Sequence, residues 1–119
     1  MSLPQIVVLA LIEIIGDFGL KTFANKGGLI SLATGIGGYI GVIGMLIVSL
    51  QNSTVLMVNG AWDGISGILE SLAAYIFLGE RLQHNSQYLG IIMISAGLYF
   101  LKVPLTKGSG FVIPKINIL

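Results

Sequence analysis

A chain of 119 residues has room for one domain, and with 55% hydrophobic and 9% charged residues it lies far from the roughly 25% charged content of soluble globular proteins. So few charges would leave a small soluble domain with large apolar patches, whereas a bilayer accepts them; a mean hydropathy of +0.95 agrees. A net charge of +1 without a Lys/Arg cluster excludes a nucleic-acid surface, and the absence of cysteine excludes a disulfide framework, a thiolate nucleophile and a Cys-based metal site.

The N-terminal stretch MSLPQIVVLALIEIIG has no positive n-region and carries Glu13 where a signal peptide is purely apolar, so it reads as a retained span. About 20 mostly apolar residues cross a bilayer, and the chain offers four such segments, about 3–21, 29–50, 54–79 and 86–103. The breaks, KTFANKGG, QNS and GERLQHNSQ, are short enough to force neighbouring helices antiparallel. The expected fold is an all-α, multi-pass membrane protein: a four-transmembrane-helix bundle, up-down, occupying residues 1–103 as one domain.

In the first span, LIEIIGDFGLK places Glu13 and Asp17 one helical turn apart. An intramembrane carboxylate costs about 2.5–3.5 kcal/mol on insertion scales, which makes it a functional-site candidate. Glu13 is either a buried, protonated, hydrogen-bonded carboxyl or an ion and proton site. Desolvation and like-charge crowding bring carboxyls in general towards the range where a proton can be traded for a cation. Asp17 either joins Glu13 or pairs with Lys21 one turn on, the arrangement the i, i+4 spacing prefers.

The second span is glycine-dense, TGIGGYIGVIG, and its gaps are expected to form a cavity beside Tyr39. The tripeptide NST that follows matches a glycosylation sequon, but the loop is too short to leave the membrane surface. In the third span Asn59, Asp63, Ser66 and Glu70 follow an i, i+4, i+7, i+11 spacing along one face, which cannot look at lipid. Asp63 and Glu70 there either line a cavity or act as polar glue between helices. Gly60, Gly64, Gly67 and Ser71 form a second stripe beside it, suited to a packing groove or a hinge. Tyr39 and Trp62 are the aromatics placed to face a carboxylate, and a Trp face holds a desolvated cation with about 2 kcal/mol or more; plain packing is the alternative. In the fourth span, Gly90 and Gly97 with Ser95 and Ala96 suit either close intramolecular contact or a dimer seam.

Lysine and arginine in short loops orient a bundle, yet Lys21, Lys26 and Arg81 fall on one side and Lys102, Lys107 and Lys115 on the other. Either an insertion partner decides, or copies insert both ways. The tail, residues 104–119, has two prolines and a Gly-Ser-Gly that exclude a fifth span, and its FVIPKINIL alternates in a manner suited to lying along a partner protein. His84 sits in a loop without a nucleophile or ligand set, so no enzyme activity, cofactor or metal is expected.

Several of these stretches occur together in one known family. LIEIIGDFGLKTFA resembles its first helix with a single glutamate, GAWDGISG its Trp-Ser-Gly segment, FLGERLQ its Gly-Glu/Gln-Arg-Leu turn, and GIIMISAG the paired glycines of its fourth helix. Over about residues 3–103 the chain resembles the small multidrug resistance family, the four-helix proton-coupled exporters of the drug/metabolite transporter superfamily. The resemblance implies that Glu13 binds either protons or a substrate cation, and that Tyr39 and Trp62 are substrate-site aromatics. It also makes Gly64, with Gly67 beside it, part of a hinge, and places Gly90 and Gly97 at the seam of an antiparallel homodimer, which would explain the even charge count. The chain departs from the family at Asn59, where a tyrosine is usual, at Asp63, where Ser or Thr is usual, and in its additional acids Asp17 and Glu70. Asn59 and Asp63 imply a smaller, more polar cation, such as a guanidinium or polyamine. The alternative expectation is a non-transporting structural subunit of a larger assembly, such as a viral membrane or membrane complex, anchored through its tail.

Overall fold

The computed structural model describes residues 1–106 and 110–117. They form four helices, α1 (Leu3–Lys26), α2 (Leu29–Leu50), α3 (Val55–Phe77) and α4 (Asn85–Leu101), with no strand among the described residues. Each boundary has a local cause. Ser2 is extended and its N–H donates to the Gln5 side chain at 3.1 Å, while Pro4 falls in the first turn, where a missing N–H breaks no helical bond.

α1 then runs through KTFANK, which the sequence reading assigned to the first loop. Thr22 Oγ1 donates to the Phe18 carbonyl at 3.0 Å and Asn25 Nδ2 to that of Lys21 at 2.8 Å, so these polar side chains bond to the helix and do not break it. The stop comes at Gly27 and Gly28, whose φ of +73° and +106° only glycine adopts without strain. The NST tripeptide is the α2–α3 turn: Asn52 takes φ +58°, Ser53 N–H donates to Leu50 at 3.1 Å, and Thr54 Oγ1 accepts from Met57 N–H as the α3 cap. α3 ends in a glycine cap. Gly79 has φ +67°, and the N–H groups of Leu78 and Glu80 both donate to the Ala74 carbonyl, at 3.1 and 3.2 Å.

α1 lies between α2 and α3, and α4 rests on α3. The α1–α2 seam is made of glycine. A Cβ on Gly38 would stand 2.7 Å from the Gly16 backbone nitrogen, and one on Gly19 would stand 2.8 Å from that of Gly35, so the two backbones touch. Small residues drive such contact in lipid, where dispersion replaces the hydrophobic effect between helices. Where a cavity beside Tyr39 was expected, α1 fills the gaps at Gly35, Gly38 and Gly41 among the described residues, and the Tyr39 ring covers Gly16. On α3, Gly64 seats the side chain of Leu98 and Gly60 that of Leu101, both from α4, which makes this stripe a groove within the chain. Gly67, Gly90 and Gly97 face open space.

The apolar core, Ile6, Leu9, Ala10, Val42, Val58, Ala61 and Ile65 with Met1, gathers at the end of the bundle where α1 and α3 begin. The tail closes over that end. The Leu3 N–H donates to the Pro104 carbonyl at 2.6 Å, and the Gln51 side chain brackets Val112, accepting from its N–H at 2.8 Å and donating to its carbonyl. The described tail thus pairs with its own chain, where the sequence suggested a partner. Lys107, one of the six charges weighed for orientation, lies outside the described residues.

α1 and α2 are long and apolar enough to cross a membrane; at about 1.5 Å per residue each exceeds the roughly 30 Å of hydrocarbon. Their outer faces carry exposed Leu11, Ile15, Leu29, Ile30, Ile40 and Ile43. Because the seam leaves no room for a methyl group, Gly38→Ala is expected to lower stability in detergent by about 1–3 kcal/mol. Gly37→Ala, whose methyl meets nothing within 4 Å, should be neutral or stabilising by up to about 1 kcal/mol. Denaturant midpoints of the two variants, measured side by side, check this.

Candidate functional site

α1 and α3 run parallel, since one antiparallel helix separates them in the chain, and each carries a polar pair at i, i+4: Glu13 and Asp17 on α1, Ser66 and Glu70 on α3. The pairs meet in register. Ser66 Oγ donates to the Glu13 carboxylate, and oxygens of Glu13, Asp17 and Glu70 all lie within 4.8 Å of one another. From α2, the Tyr39 hydroxyl donates to Asp17. Two carboxylates at that separation repel by about 3–4 kcal/mol at an effective dielectric of about 20, and a proton or a bound cation removes that cost. Three oxygens so close suit any small cation, organic or inorganic.

Asp17 therefore joins Glu13 and does not pair with Lys21. Lys21 bonds instead to Glu80, in the turn after α3. Trp62 lies one turn before Ser66 and packs against the core, with its buried indole N–H facing the Glu13 carboxylate. Tyr39 is oriented to Asp17 rather than to Glu13. Asn59 and Asp63 continue the α3 stripe and are exposed, with Asp63 near enough to Glu13 for the two charges to interact. Gly64 sits in the α3–α4 groove, and Gly67, Gly90 and Gly97 stand apart from the carboxylates.

A cleft of about 240 Å³ leads from Asp17 and Glu70, past Phe18 and Ser71, to Lys21 and Glu80. A larger cavity of about 500 Å³ lies beside the α3–α4 turn at Tyr75, Arg81 and Tyr88. The converging carboxylates identify the smaller cleft as the candidate site. Sequence reading missed two of its features: Ser66 as the partner of Glu13, and the Lys21–Glu80 pair. The first had a signal in the matching i, i+4 polar pairs of the first and third spans. The second had none, because it depends on how the turn after α3 folds.

Among curated proteins, the chain is similar to a multidrug transporter of Pseudomonas aeruginosa, 30% identical over 98 residues that make up 82% of this chain and 87% of that protein. No family model and no solved structure matches it. With two membrane-length apolar helices and a transporter as relative over most of its length, the chain is a membrane protein and belongs to the family of that multidrug transporter.

Proposed function

We propose that this protein is a transporter of the small multidrug resistance type, with all four helices across the bilayer, that exchanges protons for small organic cations at Glu13. The observation that carries this is the convergence of Glu13, Asp17 and Glu70 within 4.8 Å on the inner side of a helix pair that otherwise packs apolar residues. Such a group takes up a proton or a cation and gives up one for the other, as an exchanger requires. The bundle also has the asymmetry of a transporter caught facing one way. One end is filled by the core and covered by the tail, and the other opens through the cleft. Rocking of the helices about the glycine contacts would expose the site to the opposite side.

Two further features support an antiparallel homodimer. Asn59 and Asp63 are exposed on a face that lipid does not accept, and a Cβ at Gly90 or Gly97 of α4 would meet nothing within 4 Å among the described residues. A second copy would cover both, and oppositely inserted copies would account for the even division of positive charge. Asp63 and Asn59 would then add polar lining, which favours a small guanidinium or polyamine over a bulky aromatic cation. The tail's bonds to Leu3 and Gln51 of its own chain weigh against a purely structural subunit anchored through that tail.

Adding guanidinium or a polyamine to the purified, detergent-solubilised protein near pH 7 should release protons, and Glu13→Gln should abolish the release while leaving the protein folded. A folded, dimeric protein that releases none with any of these cations is not an exchanger. Gly97→Leu is expected to dissociate the dimer at concentrations where the parent is dimeric, read by energy transfer between labelled copies. An unchanged signal would move the seam away from α4.

A further inference from the structure

The outer end of the cleft is bridged by one ion pair. Lys21 stands one turn beyond Asp17 on α1 and reaches across to Glu80, and the two side chains are 47% and 49% exposed. Glu80 is aimed there by backbone geometry. The left-handed Gly79 turns the chain, and the Glu80 N–H is tied to the Ala74 carbonyl at 3.2 Å. Arg81, the neighbouring cation, is held elsewhere: its guanidinium lies 3.5 Å over the Tyr75 ring and donates to the Tyr75 and Glu80 carbonyls at 2.9 and 2.8 Å. Lys21 is thus the ammonium at the mouth of a passage whose inner end is the carboxylate group.

This is the arrangement an incoming cation meets first. An exposed ion pair shifts an equilibrium by no more than roughly fivefold, so a cation from solution can take the place of a lysine ammonium on the same carboxylate. We propose that Glu80 receives the incoming cation at the mouth of the cleft and that Lys21 is the internal cation it displaces. Once displaced, Lys21 no longer ties α1 to the α3–α4 turn, and the way to Asp17, Glu70 and Glu13 is open. The inference rests on the exchange proposed at Glu13 and names the group that admits its substrate.

The chain has no cysteine, so a single Ser71→Cys, which lines both this cleft and the cavity at Tyr75 and Arg81, reports access past the pair through its dependence on Lys21, which lines the cleft and not that cavity. Ser71 Oγ bonds back to the Gly67 carbonyl one turn earlier, and the change is small. The full chain is reconstituted in vesicles and labelled with a small neutral methanethiosulfonate reagent, with guanidinium chloride as the cation and equal sodium chloride as the control. Lys21→Gln and Glu80→Gln are each expected to label about three- to fivefold faster than the Ser71→Cys parent. Guanidinium should accelerate labelling of the parent saturably and leave both variants unaffected. A charge-swapped protein, Lys21→Glu with Glu80→Lys, should return to slow labelling, which separates loss of the pair from loss of the fold. No acceleration of the parent by guanidinium, or equal acceleration in Glu80→Gln, overturns the proposal. Guanidinium-dependent labelling without proton release would reject exchange at Glu13 and keep the gate, and proton release with unresponsive labelling would reject the gate alone.

Discussion

The contact of α1 with α2 at Gly16 and Gly38 fixes the rotation of α1 about its own axis, and the direction of every carboxylate on that helix follows from it. With backbone against backbone, α1 cannot turn without driving a side chain into the seam. Glu13 and Asp17 are then presented to α3, where Ser66 and Glu70 wait at the matching spacing. Tyr39, next to Gly38, is brought over Gly16 and reaches Asp17 across the same seam. A glycine contact that makes no polar bond thus organises the polar site.

The two ends of the bundle are built from different forces. At one, Ile6, Leu9, Val58, Ala61 and Ile65 interlock and the tail ties α1 to the α2–α3 turn. At the other, α1 and α3 are joined by hydrogen bonds to carboxylates and by one exposed ion pair. Elements that move in function are drawn from regions with few buried apolar contacts, and here that region is the one that holds the cleft. In the proposed transporter the dense end would serve as the fulcrum and the polar end would open.

Much of the fold was legible because it follows from hydropathy and short breaks: four helices appear where four apolar segments were read, with α2 spanning the same residues. The error at the end of α1 has a simple origin. Lys, Thr and Asn look like loop residues by composition, but Thr22 and Asn25 bond back to their own helix, and only the glycine pair stops it. The acids were found as costly residues in apolar spans, which is a property of the sequence. Their partners were not, since the match of Glu13 to Ser66 depends on the relative height of two parallel helices, and Lys21 to Glu80 on a left-handed glycine. The second-span glycines were read as empty space. In three dimensions they are the places where another backbone fits.

The energetics of insertion explain why such a site needs its surroundings. Glu13 and Asp17 lie in a helix that meets the length and apolarity of a membrane span, and together they add on the order of 5–7 kcal/mol to its transfer into lipid. That is comparable to the whole folding stability of many domains, about 5–15 kcal/mol. Hydrogen bonds across membrane helices return only about 1 kcal/mol each, so Ser66 and Tyr39 offset a minor part. A core role would be met at lower cost by apolar residues of the same volume. In the exchange proposed here, a proton or cation placed among the three carboxylates would offset the remainder, and that requirement would make the cluster responsive to whichever of them the cleft admits.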